Sequence, residues 1–171
     1  MGSVYTRERF GIAQPKVGLL SIGEESTKGS PLVKETHSLL AEARGITFVG
    51  NVEGRDIMTD AVDVVVTDGF TGNVVLKTLE GGVKSVISAL LAAFADPAVK
   101  EHADALLPAL LPLYASLDPD TYGGAMLLGV DGVCIIGHGS SSSKAIVNAI
   151  SVASEMVQVD LVGRLREAVA L

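Results

Sequence analysis

The chain has 171 residues and a formal net charge of −7, with 20 Asp and Glu residues against 13 Lys and Arg residues. An acidic chain repels a phosphodiester backbone, and no aromatic residues alternate with basic ones, so nucleic-acid binding is not expected. The length suits one α/β domain, and 48% hydrophobic residues with only 4% aromatics favour an aliphatic core of helices on a parallel sheet.

The first half of the chain alternates between strand and helix patterns. Ser30 before Pro31 predicts a helix start, and apolar residues at helical spacing continue this helix to Gly45. A short helix is expected at 55–61. Three short apolar runs predict buried strands, at 17–22, 46–49 and 63–67.

The next region has a helical period. Apolar residues predict a long amphipathic helix from Thr71 to the break at Asp96-Pro97. A second apolar segment follows at 99–117, and Pro108 and Pro112 are expected to bend or break it. It is too short and too interrupted to span a bilayer. Residues 86–117 are therefore interpreted as an apolar helical hairpin.

The last region predicts a fourth strand at 132–137 and one terminal helix opening at Ser140 and continuing beyond Leu165. The single cysteine, Cys134, lies in the strand and is expected to be buried. One cysteine and no signal segment favour a cytoplasmic location. The whole pattern predicts a single α/β domain at 1–171 with a mostly parallel sheet and helices on both faces.

Two loops between a strand and a helix are candidates for anion binding. In Gly-His-Gly-Ser-Ser at 137–141, backbone amides, serine hydroxyls and the helix dipole can point at one oxyanion. A plain helix cap is the alternative interpretation. His138 could donate to a phosphate or acyl oxygen, or be a polar turn residue.

The second loop is 67–73, where two glycines separate a strand from a helix. Lys77 lies one helical turn beyond Asn73 and could reach an anion there, or it could be a solvated lysine. No Cys or His cluster has the spacing of metal ligands, so no metal or cofactor is expected.

Four sequence blocks in order resemble the phosphate acyltransferase family called PlsX. They are VGLLSIG with Lys28-Gly29, FVGNVEGRD at 48–56, DVVVTDGFTGNVVLKTLEG at 63–81, and Tyr122-Gly123-Gly124-Ala125 leading to GHGSS at 137–141. Members of that family are about twice as long. The resemblance therefore implies the C-terminal half of a longer enzyme, with Met1 as an internal methionine.

The resemblance implies a homodimer that moves a long-chain acyl group from acyl carrier protein to inorganic phosphate, giving acyl-phosphate for phospholipid synthesis. It also implies a fold like that of isocitrate and isopropylmalate dehydrogenases, and a dimer or peripheral-membrane role for 86–117. Burial of this segment in a dimer core alone is equally compatible with its sequence.

The predicted site follows from the loops and this resemblance together. Gly139, Ser140 and Ser141 are expected to hold phosphate, Asn73 and Lys77 to stabilise anionic oxygens, and His138 to polarise or orient a reacting group. Further contacts to phosphate or substrate are predicted at Asn51, Asp68, Gly69, Thr71 and Gly72.

Two alternative functions stay open at this point. The first is a phosphate acetyl- or butyryltransferase with a short-chain substrate. The second is an inactive fragment that serves as a dimerisation or membrane-association module.

Overall fold

The computed structural model describes residues 1–170, and of residues 116 and 119 only the backbone. The α-helices within this range are α1 Gly2–Phe10, α2 Pro31–Glu42, α3 Gly69–Phe94, α4 Lys100–Leu117, α5 Pro119–Tyr122, α6 Ser143–Gln158 and α7 Leu161–Val169. The strands are β1 Lys16–Leu20, β2 Thr47–Val52, β3 Val64–Val66, β4 Ala125–Met126 and β5 Ile135–Ile136. A 3-10 helix spans Gly54–Asp56.

The three predicted N-terminal strands form one parallel sheet in the order β2-β1-β3. The central strand β1 is buried at four of its five residues, as expected for a strand covered on both faces. Its register with β2 shifts between Val17 and Gly18. These observations confirm the α/β class and the parallel sheet.

The predicted fourth strand does not join this sheet. Only Ile135 and Ile136 are extended there, and they pair with β4 in a separate two-stranded sheet. Ile136 is 53% exposed, and Cys134 is exposed as well, so the expectation of a buried cysteine is wrong. An apolar run between glycines indicates a strand but does not specify its partner or its burial.

The chain divides into two compact units. Unit 1 contains residues 1–71, 126–134 and 153 onward, and unit 2 contains residues 72–125 and 135–152. The parallel sheet belongs to unit 1, where Leu19, Met156 and Leu161 are almost completely buried. Unit 2 contains α4 and most of α3, with Ala103, Ala145 and Val152 buried.

Several helix ends follow the predicted signals. Ser30 Oγ accepts a hydrogen bond from the Val33 amide at 3.3 Å, with Pro31 at the first helical position, which confirms the start of α2. The predicted helix at 55–61 is only the short 3-10 turn. Helix α4 continues through Pro108 and Pro112 without a break in its assignment. Both prolines are exposed, where water can satisfy the carbonyl groups that lose a partner.

The predicted single terminal helix is instead two helices. Asp160 adopts a left-handed conformation, with φ 50° and ψ 48°, and its Oδ1 accepts from the Gly163 amide at 3.3 Å. The carboxylate therefore caps α7 and ends the continuous helix. Helix α1 was not predicted, because its apolar residues have no helical period. Glu8 fixes it to α7 through an ion pair with Arg164 at 3.0 Å.

Within the described part of the chain, no single helix is both long and apolar enough to cross a membrane. Only α6 and α7, counted together as one bent pair, meet the criteria of length and composition.

Candidate active site

The centre of the candidate site is a contact between α3 and the loop before α6, both within unit 2. Lys77 Nζ lies 3.4 Å from His138 Nε2, although 61 residues separate them in sequence. The amphipathic pattern of α3 leaves Lys77 half exposed on its polar face. The structure thus brings together two of the three side chains predicted to be catalytic.

His138 is connected in turn to Ser140. The imidazole Nδ1 lies 2.6 Å from Ser140 Oγ. The Ser140 amide also donates to Nδ1, at 3.2 Å. Nδ1 is therefore an acceptor, and the hydrogen of a neutral imidazole resides on Nε2. The contact between Lys77 Nζ and Nε2 is then a close approach rather than a hydrogen bond.

The 138–141 turn is closed by reciprocal hydrogen bonds. The His138 amide donates to Ser141 Oγ at 3.0 Å, and the Ser141 amide donates to the His138 carbonyl at 2.9 Å. Ser142 Oγ accepts from the Ala145 amide at 3.3 Å and caps the first turn of α6. Serine side chains therefore fix the loop, as the capping interpretation expects, and the binding interpretation stays a prediction.

Sequence reasoning did not include Glu80 in the site. Its Oε2 lies 3.0 Å from Lys77 Nζ, and this hydrogen bond is the main reason why the pKa of Glu80 is lowered. The signal was available, because Glu80 follows Lys77 by three residues on the same helix face. The charge of Lys77 is therefore partly neutralised by the Glu80 carboxylate, and its ammonium lies beside the His138 imidazole.

Asp68 and Thr71 form a cap at the start of α3. The Thr71 amide and hydroxyl donate to the two carboxylate oxygens of Asp68, at 2.9 and 2.6 Å. The hydroxyl bond is the largest cause of the lowered pKa of Asp68. A carboxylate of the chain itself thus occupies the positive end of α3. The predicted phosphate contacts of these two residues stay predictions, and the structure gives them a capping role.

Asn51 is buried at the carboxyl end of β2, with 6% exposure. Its Nδ2 donates to the Glu25 carbonyl at 2.8 Å, whereas its Oδ1 is buried without a partner. The side chain therefore holds the 24–29 loop against the sheet. Its predicted contact with substrate is not tested by these bonds.

The glycines of the candidate loops have open surroundings. A Cβ added at Gly69 or Gly139 would meet nothing within 4 Å, and neither has positive φ. Gly72 and Asn73 lie at the start of the same helix as Lys77, and Asn73 is exposed one turn before it. The structure therefore does not require glycine at 69 or 139 for steric reasons, and the amides of Ser140 and Ser141 already donate within the turn.

Among the described residues, no group of three or more His, Cys, Asp or Glu side chains could hold a metal ion. A groove of about 540 Å³ lies in unit 1 beside α2. It is lined by Ser26, Thr27, Lys34, His37, Ser38, Ala41 and Glu42. None of the predicted site residues contributes to it.

Comparison with known proteins places the chain among relatives of one kind. A family model described as fatty acid synthesis protein matches residues 1–164. A protein named phosphate acyltransferase from Elusimicrobium minutum is 50% identical over 99% of this chain and 50% of its own length. A protein of the same name from Halothermothrix orenii is 49% identical over 98% of this chain and 51% of its own length. One from Bacillus subtilis is 44% identical over 99% of this chain and 51% of its own length.

The chain therefore spans about half the length of the curated relatives it matches. The matched region extends over nearly the whole chain. The chain belongs to the fatty acid synthesis protein family, together with relatives named phosphate acyltransferase.

Proposed function

We propose that this chain carries the phosphate-binding part of an acyltransferase that moves a long-chain acyl group from acyl carrier protein to inorganic phosphate. The product would be an acyl-phosphate for phospholipid synthesis. The observation that carries the proposal is the connected set of Lys77, His138 and Ser140. An ammonium, an imidazole and a serine hydroxyl lie together at one glycine-rich turn.

The chemistry needs an anion held in place without full neutralisation. A phosphate oxygen attacks the thioester carbonyl carbon, and the tetrahedral intermediate then expels the thiolate as the carbon–sulfur bond breaks. Because a thiolate leaves readily, acid catalysis matters less than positioning and stabilisation of negative oxygens. The Gly139 amide and the hydroxyls of Ser140 and Ser141 are proposed to hold phosphate, while Lys77 stabilises developing negative charge.

His138 has a positioning role in this proposal. Its ring is fixed between Lys77 and Ser140, so it orients both groups toward one space. Asn73, exposed one turn before Lys77 on α3, is proposed to contact an anionic oxygen of the substrate.

The proposal includes the fold and partners implied by the family resemblance. We propose the dehydrogenase-like sheet for the complete protein, with 86–117 as an apolar excursion used in homodimer or peripheral-membrane contact in the cytoplasm. Large apolar side chains exposed on this segment support that role, and they include Val86, Leu90, Leu91, Leu106, Leu111 and Leu113. Exposed apolar surface of this kind is a feature of interaction sites.

The first test is Lys77→Met in the full-length protein, with acyl-phosphate formation as the readout. Removing one donor that stabilises a developing oxyanion lowers turnover on the order of 100- to 1000-fold. Lys84→Met is the matched control, because Lys84 is exposed on the same helix two turns further on. Full activity of Lys77→Met would remove this residue from the mechanism.

The second test compares acyl donors. The proposal expects long-chain thioesters of acyl carrier protein to be used far better than acetyl- or butyryl-coenzyme A. Preference for the short donors would instead support the phosphate acetyl- or butyryltransferase alternative.

A further inference from the structure

The Lys77 ammonium lies between two partners on opposite sides of the α3-to-loop contact. Glu80 Oε2 is 3.0 Å away on the same helix, and His138 Nε2 is 3.4 Å away on the loop. An ammonium has three donors, and the bond to Glu80 uses one of them, so Lys77 keeps N–H groups for another acceptor.

A lysine on a helix surface has a long flexible stem and many rotamers. Lys77 is half exposed, so packing alone does not fix its end. Glu80 is less exposed than Lys77, at 35% against 51% of the side chain, and is separated from it by one helical turn. The carboxylate is thus the better anchored member of the pair.

We propose that Glu80 is a positioning residue that holds the Lys77 ammonium against His138 with one N–H directed at the substrate anion. This inference rests on the proposed function, because it assigns Lys77 an anionic oxygen to stabilise. Glu80 touches neither phosphate nor acyl group and acts only through Lys77.

The negative charge of Glu80 allows a positioning role to be distinguished from simple repulsion of phosphate. A carboxylate near a phosphate site repels phosphate, so removing its charge would by itself lower the KM for phosphate and leave kcat unchanged. If Glu80 positions Lys77, its loss instead frees the ammonium, and kcat falls without tighter phosphate binding. Misplacement of a catalytic group by about 1 Å can cost two orders of magnitude in rate.

The experiment is Glu80→Gln in the full-length protein, with kcat and the KM for phosphate measured separately. We expect kcat to fall on the order of tenfold, with the KM unchanged or raised. Glu35→Gln on the exposed face of α2 is the matched control and should leave both constants unchanged. An unchanged kcat in Glu80→Gln, with or without a lower KM, would overturn the inference.

A double-mutant cycle separates this inference from the proposed function. In a Lys77→Met background, Glu80→Gln should have no further effect on kcat. Independent, additive losses would overturn the positioning role while leaving the proposed function intact. Full activity of Lys77→Met alone would overturn both the proposed function and the positioning role of Glu80. If Lys77→Met lowers kcat and Glu80→Gln does not, only the positioning role is overturned.

The ring state of His138 provides a readout that does not depend on turnover. In the 171-residue chain, NMR of the labelled histidine ring should show Nδ1 of His138 as a hydrogen-bond acceptor in the unsubstituted protein, because the Ser140 amide donates to it. Glu80→Gln should shift the His138 ring signals, because Lys77 is released, and leave those of His37 and His102 unchanged. Unchanged His138 signals would contradict the role of Glu80, because Lys77 would then keep its place without it.

Discussion

Gly123 explains why one of the four sequence blocks has its particular composition. Its φ of +78° is left-handed, and an added Cβ would lie 2.7 Å from the Asn148 carbonyl carbon. Gly124 follows with φ +135°, and its Cβ would lie 2.6 Å from the Ile136 carbonyl oxygen. Two adjacent glycines therefore allow the chain to pass close to α6 and β5.

We predict that Gly123→Ala lowers the free energy of unfolding by about 1–3 kcal/mol, because it adds both backbone strain and a clash. Urea denaturation of the 171-residue chain measures this effect. Gly81→Ala is the control, since Gly81 lies in α3 with nothing within 4 Å of an added Cβ. It should stabilise by about 0.5–1 kcal/mol. Equal effects of the two substitutions would contradict the account of Gly123.

Sequence reasoning at this scale identified the residue types of the site but not their contacts. Lys77 and His138 were candidates because of the loops around them, yet a solvated lysine and a polar turn residue were the alternative interpretations. The pairing depends on a contact across 61 residues, which no local pattern encodes. Glu80 was missed because it was read as one of several charged residues on the polar face of α3.

Asp160 shows how one residue determines the extent of an element. Its left-handed conformation and its bond to the Gly163 amide separate α6 from α7. We predict that Asp160→Ala destabilises the chain by about 1–2 kcal/mol, since it loses the cap and tolerates the conformation less well. Asp160→Asn keeps an acceptor and tolerates positive φ, so it should be nearly neutral. Thermal unfolding compares the two, and equal losses would argue against the cap.

Prediction of elements succeeded where a local signal specifies them. Ser30 with Pro31 fixed the start of α2, and the apolar runs located β1, β2 and β3. The fourth strand was misplaced because sheet partners are chosen by tertiary packing. Helix α1 was missed because its buried residues, Ser3, Val4 and Thr6, do not form an apolar stripe, and its ion pair from Glu8 to α7 is a tertiary contact.

At the scale of the whole molecule, three carboxyl groups link stability to pH. The pKa values of Asp68, Glu80 and Asp118 are lowered, mainly by hydrogen bonds from Thr71, Lys77 and the Asp120 amide. The folded state therefore binds fewer protons than the unfolded state in the acid range. These groups contribute fully to stability when the pH lies above the ordinary pKa values of carboxyl groups. The contribution is lost as the pH falls below about 4, through the lowered pKa values of the folded state.

We predict that unfolding free energy decreases between pH 5 and about pH 2, as measured by urea titration at each pH. The triple variant Asp68→Asn, Glu80→Gln and Asp118→Asn should be less stable at neutral pH and should show a weaker acid dependence. An acid dependence identical to that of the unsubstituted chain would show that other carboxyl groups are responsible.

The proposed activity depends on phosphate binding by residues 139–141 together with Lys77. The most direct measurement is an NMR titration of the labelled 171-residue chain with inorganic phosphate, with sulfate-free buffer and Lys77→Met as the comparison. The account predicts saturable shifts centred on Gly139, Ser140 and Ser141 and on the Lys77 side chain, weakened in the variant. Absence of saturable shifts, or shifts centred on the Asp68–Thr71 cap, would contradict it.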